Sequence, residues 1–241
     1  MTEHEVAAGA TYQSAERSLA LLTSFDDSRA EIGVTEIAES LGVHKSTASR
    51  LAAALERAGF LTRAGKRYRL GTELIRLGAL ALRGFDVVAT TQPAMERLSR
   101  QTGETINLAV PDGNDILNVA EIPSTFILGC SGGWTGRRTK PHAAANGKVL
   151  LAYGAIGLPR QLERYTEHTI TTPGALHEEL AAVRRNGYAT ATAELEEGLV
   201  AVAAPVFDGT GACVAALSVS GPAHRIPPER LDEIGKLCAE S

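Results

Sequence analysis

The polar segment VHKSTASRL, residues 43–51, carries side chains that suit contact with nucleic acid. Hydroxyl groups bond to base edges or phosphates, and an arginine guanidinium matches the edge of a guanine. The free N–H groups of a helix start also favour a phosphate. The side chains available for such contacts are Lys45, Ser46, Thr47, Ser49 and Arg50. This segment therefore predicts contact with DNA.

Basic residues gather around the same segment, although the chain as a whole is acidic. Residues 44–70 contain seven Lys or Arg against one glutamate, a net charge of +6, whereas the whole chain carries −4. An ordinary solvated helix start is the alternative interpretation of residues 43–51. It does not explain the near absence of acids, so DNA binding is favoured.

Two helices are predicted ahead of this segment from apolar residues at helical spacing. The first covers residues 12–25, with Ser14 as N-cap and Leu19 on its apolar side. The second covers residues 34–41, with Thr35 as N-cap. Gly42 ends the second helix, because glycine enters the left-handed region without steric cost.

The segment itself opens a third helix, and a basic hairpin follows that helix. The helix runs from about Lys45 to Ala58, with an apolar stripe of Ala48, Leu51, Leu55 and Ala58. FLTRAGKRYRLG predicts two short strands around an Ala64-Gly65 turn, with Leu70 among their apolar anchors. This combination is a winged helix-turn-helix, whose second helix enters the major groove. The wing residues Arg63, Lys66 and Arg67 are expected to contact the DNA backbone or minor groove.

The remaining chain is predicted to be an α+β structure. Residues 71–84 form an apolar helix that buries one face, and Pro93 lies near the start or a break of the next helix. Beyond residue 104, strands alternate with helices, beginning with a hairpin turned at residues 111–113. An antiparallel sheet with flanking helices accounts for this order.

Enzymatic chemistry has one candidate, a G-x-S-x-G match at residues 129–133. Ser131, Asp208 and His224 follow in the order of a hydrolase triad. The motif requires a strand-turn-helix elbow, and the residues after Gly133 do not start a helix. No metal-ligand spacing or phosphate loop is present, so no cofactor is expected. A serine hydrolase using Ser131 and a sensor module acting through protein partners remain the alternatives.

The cellular location of the protein is predicted from three features that the sequence lacks. No apolar run approaches the length of a membrane span. The first residues lack the order of a secretory signal. The three cysteines, Cys130, Cys213 and Cys238, fit neither a disulfide framework nor a zinc motif. We therefore expect a cytoplasmic protein without a membrane partner.

The chain resembles the IclR-type bacterial transcription regulators over nearly its whole length. The matching pieces are VTEIAESLGVHKSTASRLAAALERAGFL, KRYRLG, TGETINL, GKVLLA, GLVAVAAPVFD and AALSVSGP. The resemblance implies a winged helix at residues 11–70, a linker helix at 71–89 and a GAF-like effector-binding domain at 90–241. It also implies a homodimer, or a dimer of dimers (a homotetramer), on a palindromic operator of double-stranded DNA. We expect a repressor controlled by a small-molecule effector.

The resemblance further implies an effector cavity in the C-terminal domain, to which Trp134 adds a stacking face. The expected lining residues are Leu128, Ser131, Trp134, Ala145, Asn146, Leu199, Ala201, Ser218 and Ser220. Backbone N–H groups at Gly147-Lys148 would hold an anionic group of the ligand. Ser218 and Ser220 lie two apart on a strand and so face one side, which is either the cavity or solvent.

Three positions depart from the family pattern. Lys140-Pro141-His142 stands where proline-leucine-histidine is usual, Ala201 replaces a frequent cysteine, and Ala191 stands where some relatives carry a pocket acid. The smaller, less polar lining suggests more room, and Trp134 is either a stacking face or a loop anchor. We therefore expect an effector with an aromatic or otherwise bulky apolar body and one polar or anionic group, such as a carboxylate.

Overall fold

The computed structural model describes residues 3–26, 28–83, 86–126 and 133–241. Contacts divide the chain into two compact units, Met1–Gly84 and Phe85–Ser241. The strand predicted at FILGC, residues 126–130, has only its first residue inside the described part of the chain. Each unit is built around its own antiparallel sheet.

The N-terminal unit is a helix-turn-helix followed by a hairpin. In chain order its elements are α1 (Glu3–Thr23), β1 (Ile32–Gly33), α2 (Val34–Ser40), α3 (Lys45–Arg57), β2 (Leu61–Ala64), β3 (Arg67–Leu70) and α4 (Thr72–Arg83). The strands pair in the order β1-β3-β2. The predicted winged helix is confirmed.

One apolar cluster holds this unit together. Ile37 from α2, Ala48 and Leu55 from α3, and Tyr68 from β3 are all buried in it, together with Leu21 from α1. Burying Tyr68 fixes the hairpin against the two helices. The wing is therefore part of the core and not a separate flap.

Two predicted helix starts are wrong. Helix α1 begins at Glu3, so Ser14 lies inside the helix and is not its N-cap. Helix α2 begins at Val34 with Gly33 as N-cap, because the Glu36 carboxylate accepts the Gly33 N–H at 2.6 Å. This bond places Thr35 in the first turn, two residues after the N-cap position.

Three predicted apolar anchors of the N-terminal unit are also wrong. Leu19 is 64% exposed, whereas Leu21 is fully buried. On α3, Ala52 is buried in place of Ala58. Leu70 at the end of β3 is 45% exposed. On α1 the buried position is displaced within one turn, whereas on α3 Ala48 and Leu55 are buried as predicted; spacing alone does not fix the remaining positions.

Helix α4 does not bury the face predicted for it. Ile75 is 72% exposed, and Leu77 and Leu80 are 38% and 48% exposed. The helix therefore presents a row of apolar side chains to solvent in the single chain.

The C-terminal unit contains the longer strands. Its elements are α5 (Asp86–Thr102), β4 (Thr105–Asp112), β5 (Asp115–Ile122), β6 (Arg138–Thr139), α6 (Ala145–Ala152), α7 (Pro173–Asn186), β7 (Ala189–Thr192), β8 (Leu199–Phe207), β9 (Cys213–Pro222) and α8 (Pro228–Ala239). A 3-10 turn at Pro141–Ala143 precedes α6. The strand order of the described sheet is β6-β5-β4-β9-β8-β7.

Helices cover both faces of this sheet. Met95 of α5 and Ile234 of α8 pack with Leu217 on one face. Val149 of α6 and Leu180 of α7 pack on the other face. The predicted α+β architecture with flanking helices is confirmed. Within the described residues, every helix is too short or too polar to cross a lipid bilayer.

Two local predictions for this unit are wrong. Pro93 lies inside α5, which continues through it and buries Ala94, Met95 and Leu98. That packing outweighs the one backbone hydrogen bond that proline removes. The first hairpin turns at residues 113–114, because Asp112 pairs with Asp115 and both belong to the strands.

Candidate functional site

The first turn of α3 is an exposed surface. His44 caps the helix, and its ring Nδ1 accepts the Ser46 N–H. Lys45, Ser46, Ser49 and Arg50 are exposed, and Thr47 is half-buried. No acidic residue lies in the first turn. The five residues predicted to contact DNA therefore share one accessible helix end.

The three wing residues differ from one another. Lys66 is exposed at the turn. Arg63 donates to the Tyr68 hydroxyl at 2.7 Å and pairs with Glu56 at 3.5 Å. Arg67 donates to the Glu31 carbonyl and pairs with Glu36. Both arginines thus brace the wing, although their side chains stay 58% and 44% exposed.

These contacts also have an electrostatic consequence. The Gly33 N–H and then the Arg67 guanidinium lower the pKa of the Glu36 carboxyl. The charge of Arg67 is therefore partly compensated inside the unit. Among the described residues Lys45, Arg50 and Lys66 form no ion pair, so their positive charges are not compensated inside the unit.

A cavity in the C-terminal unit lies between the sheet and the start of α6. Its polar lining includes Asn107, Asn118, Asn146 and Glu194. Seven predicted residues are among those that line it: Trp134, Ala145, Asn146, Leu199, Ala201, Ser218 and Ser220. The other two, Leu128 and Ser131, lie outside the described residues.

Strand register explains how residues distant in sequence meet here. Ser218 of β9 pairs with Asn107 of β4, and Ser220 pairs with Ala201 of β8. Ala201 in turn pairs with Ala191 of β7. Ser218 and Ser220 are 2% and 5% exposed, so the alternative of a solvated strand face is wrong.

Four buried polar atoms in this lining have no hydrogen-bond partner among the described residues. They are Trp134 Nε1, Asn107 Oδ1, Asn146 Oδ1 and Glu194 Oε2. Buried polar atoms without partners are uncommon and call for an explanation such as a ligand. The Asn107 amide also donates to the Ser220 hydroxyl at 3.1 Å, which fixes the serine beside it.

The acid of the cavity, Glu194, is held by a buried lysine. Lys148 of α6 is 1% exposed, and its ammonium donates to Glu194 Oε1 at 2.7 Å, to the Thr190 carbonyl at 2.9 Å and to Glu179 at 3.0 Å. Burial raises the pKa of Glu194, and the charge of Lys148 opposes that rise. Glu194 is not among the lining residues expected from the sequence, although it lines the cavity.

The expected anion contact at Gly147-Lys148 is also wrong. The Lys148 N–H is engaged with the Ala144 carbonyl at 2.9 Å inside the helix. Neither Gly147 nor Lys148 lines the cavity. The residues that do are Ala144, Ala145 and Asn146, which directly precede Gly147. The expectation of a less polar cavity lining is wrong as well. Ala191 brings no acid to the lining, but Glu194 does.

A second, outer cavity adjoins the first. Trp134, Thr139 and Leu195 line both. The inner space measures about 50 Å³ and the outer about 340 Å³. The guanidinium of Arg137 lies 5.3 Å from the centre of the Trp134 ring. The wall between the two spaces is therefore one layer of side chains, of which Trp134 is a part.

Comparison with known proteins identifies the family. The family described as Bacterial transcriptional regulator IclR C-terminal matches residues 79–241, and IclR helix-turn-helix domain matches residues 14–65. The chain belongs to the IclR family of bacterial transcriptional regulators. It is a DNA-binding regulator and not an enzyme, which decides against the alternative of a serine hydrolase.

Individual relatives of this IclR-family chain cover most of its length. The HTH-type transcriptional regulator KdgR of Escherichia coli is 37% identical over 211 residues, which cover 84% of this chain and 80% of that protein. Transcriptional repressor IclR of the same organism is 30% identical over 235 residues, 93% of this chain and 85% of the relative. An IclR homologue from Microbacterium hydrocarbonoxydans, solved in complex with 4-hydroxybenzoate, matches with a TM-score of 0.79 and 28% identity, covering 94% and 96% of the two chains.

Proposed function

We propose that this IclR-family regulator is a cytoplasmic repressor whose operator binding is modulated by a small molecule in the C-terminal cavity. The observation that carries the proposal is the exposed start of α3, which has no acidic residue in its first turn and presents Lys45 and Arg50. Helix α3 enters the major groove, and Ser46, Thr47 and Ser49 contact bases or phosphates beside them. Several related proteins bear the name of a repressor, which supports the sign of regulation.

The wing contributes to DNA binding in two ways. Lys66 contacts the phosphate backbone directly, while Arg63 and Arg67 hold the hairpin and add charge from their exposed ends. Phosphate contacts set affinity and salt dependence, whereas α3 sets sequence choice. Arg50 therefore governs specificity, and Lys66 governs general affinity.

The effector is an aromatic or carboxylate metabolite. The first turn of α6 lines the cavity at Ala145 and Asn146, and a helix N-terminus favours a carboxylate. An inner space of about 50 Å³ has room for about four water molecules. An aromatic ring therefore also uses the outer cavity beyond Trp134, where the indole offers a stacking face. The relative bound to 4-hydroxybenzoate supports a ligand of this class.

The regulator acts as a homodimer or a dimer of dimers. A single chain leaves Leu70, Ile75, Leu77 and Leu80 exposed around α4. Several large apolar side chains exposed on and beside one helix indicate an interaction site. A second copy of the chain covers it, and the resulting two-fold symmetry matches a palindromic operator.

Gel retardation with DNA from upstream of the gene and its neighbours tests the proposal. Arg50→Ala is expected to cost about 1–3 kcal/mol and to relax sequence choice, since the guanidinium reads a base edge. Lys66→Ala is expected to weaken binding to all sequences and to lower the salt slope by about one. Arg185→Ala, an exposed arginine of the C-terminal unit, is the matched control and leaves both unchanged. If Arg50→Ala and Lys66→Ala bind like wild type, the assignment of this surface to DNA is wrong.

A further inference from the structure

The wing arginine Arg67 is held by an acid of helix α2. Its Nη2 lies 2.9 Å from Glu36 Oε2 and 3.1 Å from Oε1, and it also donates to the Glu31 carbonyl at 2.7 Å. The side chains of Arg67 and Glu36 are each 44% exposed. A DNA phosphate offers an arginine the same kind of contact, through anionic oxygens. Glu36 therefore fills a place at Arg67 that a phosphate would otherwise take.

The Glu36 carboxylate is fixed by a second bond, to the backbone. Its Oε2 accepts the Gly33 N–H at 2.6 Å, which completes the cap of α2. A Cβ added at Gly33 would lie 3.0 Å from the same oxygen, so the carboxylate packs closely against this backbone. The Gly33 N–H and the Arg67 guanidinium hold the pKa of Glu36 below its ordinary value, so the acid remains ionised at neutral pH. A lasting negative charge therefore stands beside Arg67.

The other two cations of the wing are compensated less closely. Arg63 approaches Glu56 through its Nε at 3.5 Å, which is a longer contact. Glu56 is also the only acid within residues 44–70. Lys66 forms no ion pair among the described residues. The positive charge available to DNA is therefore greatest at Lys66 and least at Arg67.

We propose that Glu36 competes with the DNA phosphate for Arg67 and so lowers the affinity of the wing for DNA of any sequence. This inference rests on the proposed function, since it concerns the same DNA-binding surface. When Arg67 turns to a phosphate, Glu36 loses its partner, and its charge stays near the DNA backbone because the Gly33 N–H holds it there. Both effects oppose the phosphate contact. Phosphates carry no base identity, so the loss of affinity is the same for all sequences.

Fluorescence anisotropy of the full chain with two labelled duplexes tests the inference. One duplex comes from upstream of the gene, and the other is an unrelated sequence of equal length. Glu36→Gln removes the charge, while the glutamine oxygen still accepts the Gly33 N–H. The affinity of this variant for both duplexes is expected to rise about 3- to 10-fold at about 50 mM salt, because Arg67 is released to a phosphate. The gain is expected to shrink about threefold by about 200 mM salt, since one more contact releases counterions.

Matched variants separate this contact from a general change of charge. Glu39→Gln removes an exposed acid three residues further along α2, and it is expected to change the affinity by less than about twofold because salt screens distant charges. In an Arg67→Ala background, Glu36→Gln is expected to give no more gain than Glu39→Gln. Melting curves check that Glu36→Gln is folded. If it is not, Arg67→Ala decides, because its salt slope is expected to lie closer to that of wild type than the slope of Lys66→Ala does.

Several results overturn the inference and leave the proposed function intact. One is a Glu36→Gln variant that binds DNA no tighter than Glu39→Gln. Another is a gain that persists in the Arg67→Ala background, or one that is confined to the upstream duplex. If Glu36→Gln does not fold, equal salt slopes for Arg67→Ala and Lys66→Ala have the same meaning. If the wild type binds neither duplex, the proposed function and this inference are both wrong.

Discussion

Lys148→Met is expected to destabilise the C-terminal unit through the charges that it leaves behind. The ammonium is 1% exposed and donates to Glu194, to Glu179 and to the Thr190 carbonyl. Methionine fills a similar volume, so the loss is mainly electrostatic. Removing one partner of a buried pair costs about 3–5 kcal/mol. Glu179 is 29% exposed and regains water, so we place the cost near the lower end, about 3 kcal/mol.

The pH dependence of this loss has a definite sign. Burial raises the pKa of Glu194, and Lys148 opposes that rise. Without the cation, the pKa of Glu194 rises further, so the folded state takes up a proton more readily than the unfolded one. Stability linked to Glu194 is then complete below its unfolded pKa and is lost as pH rises from there through its raised folded pKa. The penalty of Lys148→Met is therefore smaller at about pH 5 than at about pH 8.

Urea unfolding followed by circular dichroism measures both effects. In thermal unfolding of a unit of this size, a loss of about 3 kcal/mol in the free energy of unfolding corresponds to a fall in melting temperature of about 6–12 °C. Lys148→Met combined with Glu194→Met is expected to recover most of the loss, because the buried charge and its partner leave together. A single variant within about 0.5 kcal/mol of wild type at neutral pH, or one equally destabilised at both pH values, refutes the reasoning.

Two further substitutions test the packing of α6 and the exposed face of α4. Gly147→Ala is expected to lower the free energy of unfolding by about 1–3 kcal/mol and to weaken ligand binding, since its Cβ would meet the backbone of Pro141. Melting curves measure the loss, with Gly174→Ala as the control because open space surrounds that glycine. Equal melting curves for the two variants would contradict the prediction. The double variant Leu77→Glu/Leu80→Glu is expected to be monomeric, because a charged α4 face no longer pairs with a second copy. Light scattering measures the molar mass. An unchanged mass would mean that the dimer interface lies outside α4.

Alternation along strands made much of the cavity predictable. Ser218 and Ser220 share a face because they lie two apart, and β9 pairs with β8 so that Ala201 lies opposite Ser220. The family pattern supplied the neighbours at the start of α6, although the ligand-facing N–H groups were expected at Gly147 and Lys148, directly after the residues that line the cavity. Periodicity thus predicts which side chains share a face, and it does not predict which backbone groups remain free.

The first residue of each helix, and the choice of which apolar residues in it are buried, were less predictable. Capping of α2 depends on the side chain of Glu36 reaching back to Gly33, and a threonine nearby offers an equally good local signal. The choice between Leu19 and Leu21 depends on where α1 meets the rest of the unit. Such choices are made by tertiary contacts, which spacing within one helix does not contain.

The charge of the cavity was the least predictable property, and Lys148 shows why. All residues of α6 are buried, so the helix has no solvent-exposed face on which a lysine could lie. A lysine in such a segment requires a buried acid, because an unpaired ammonium is too costly to bury. The partner lies 46 residues later on the turn between β7 and β8, beside two other glutamates with the same local pattern. Ala191 of β7 brings no acid to this cavity, but Glu194, on the turn that follows the strand, reaches it and Lys148 fixes it there.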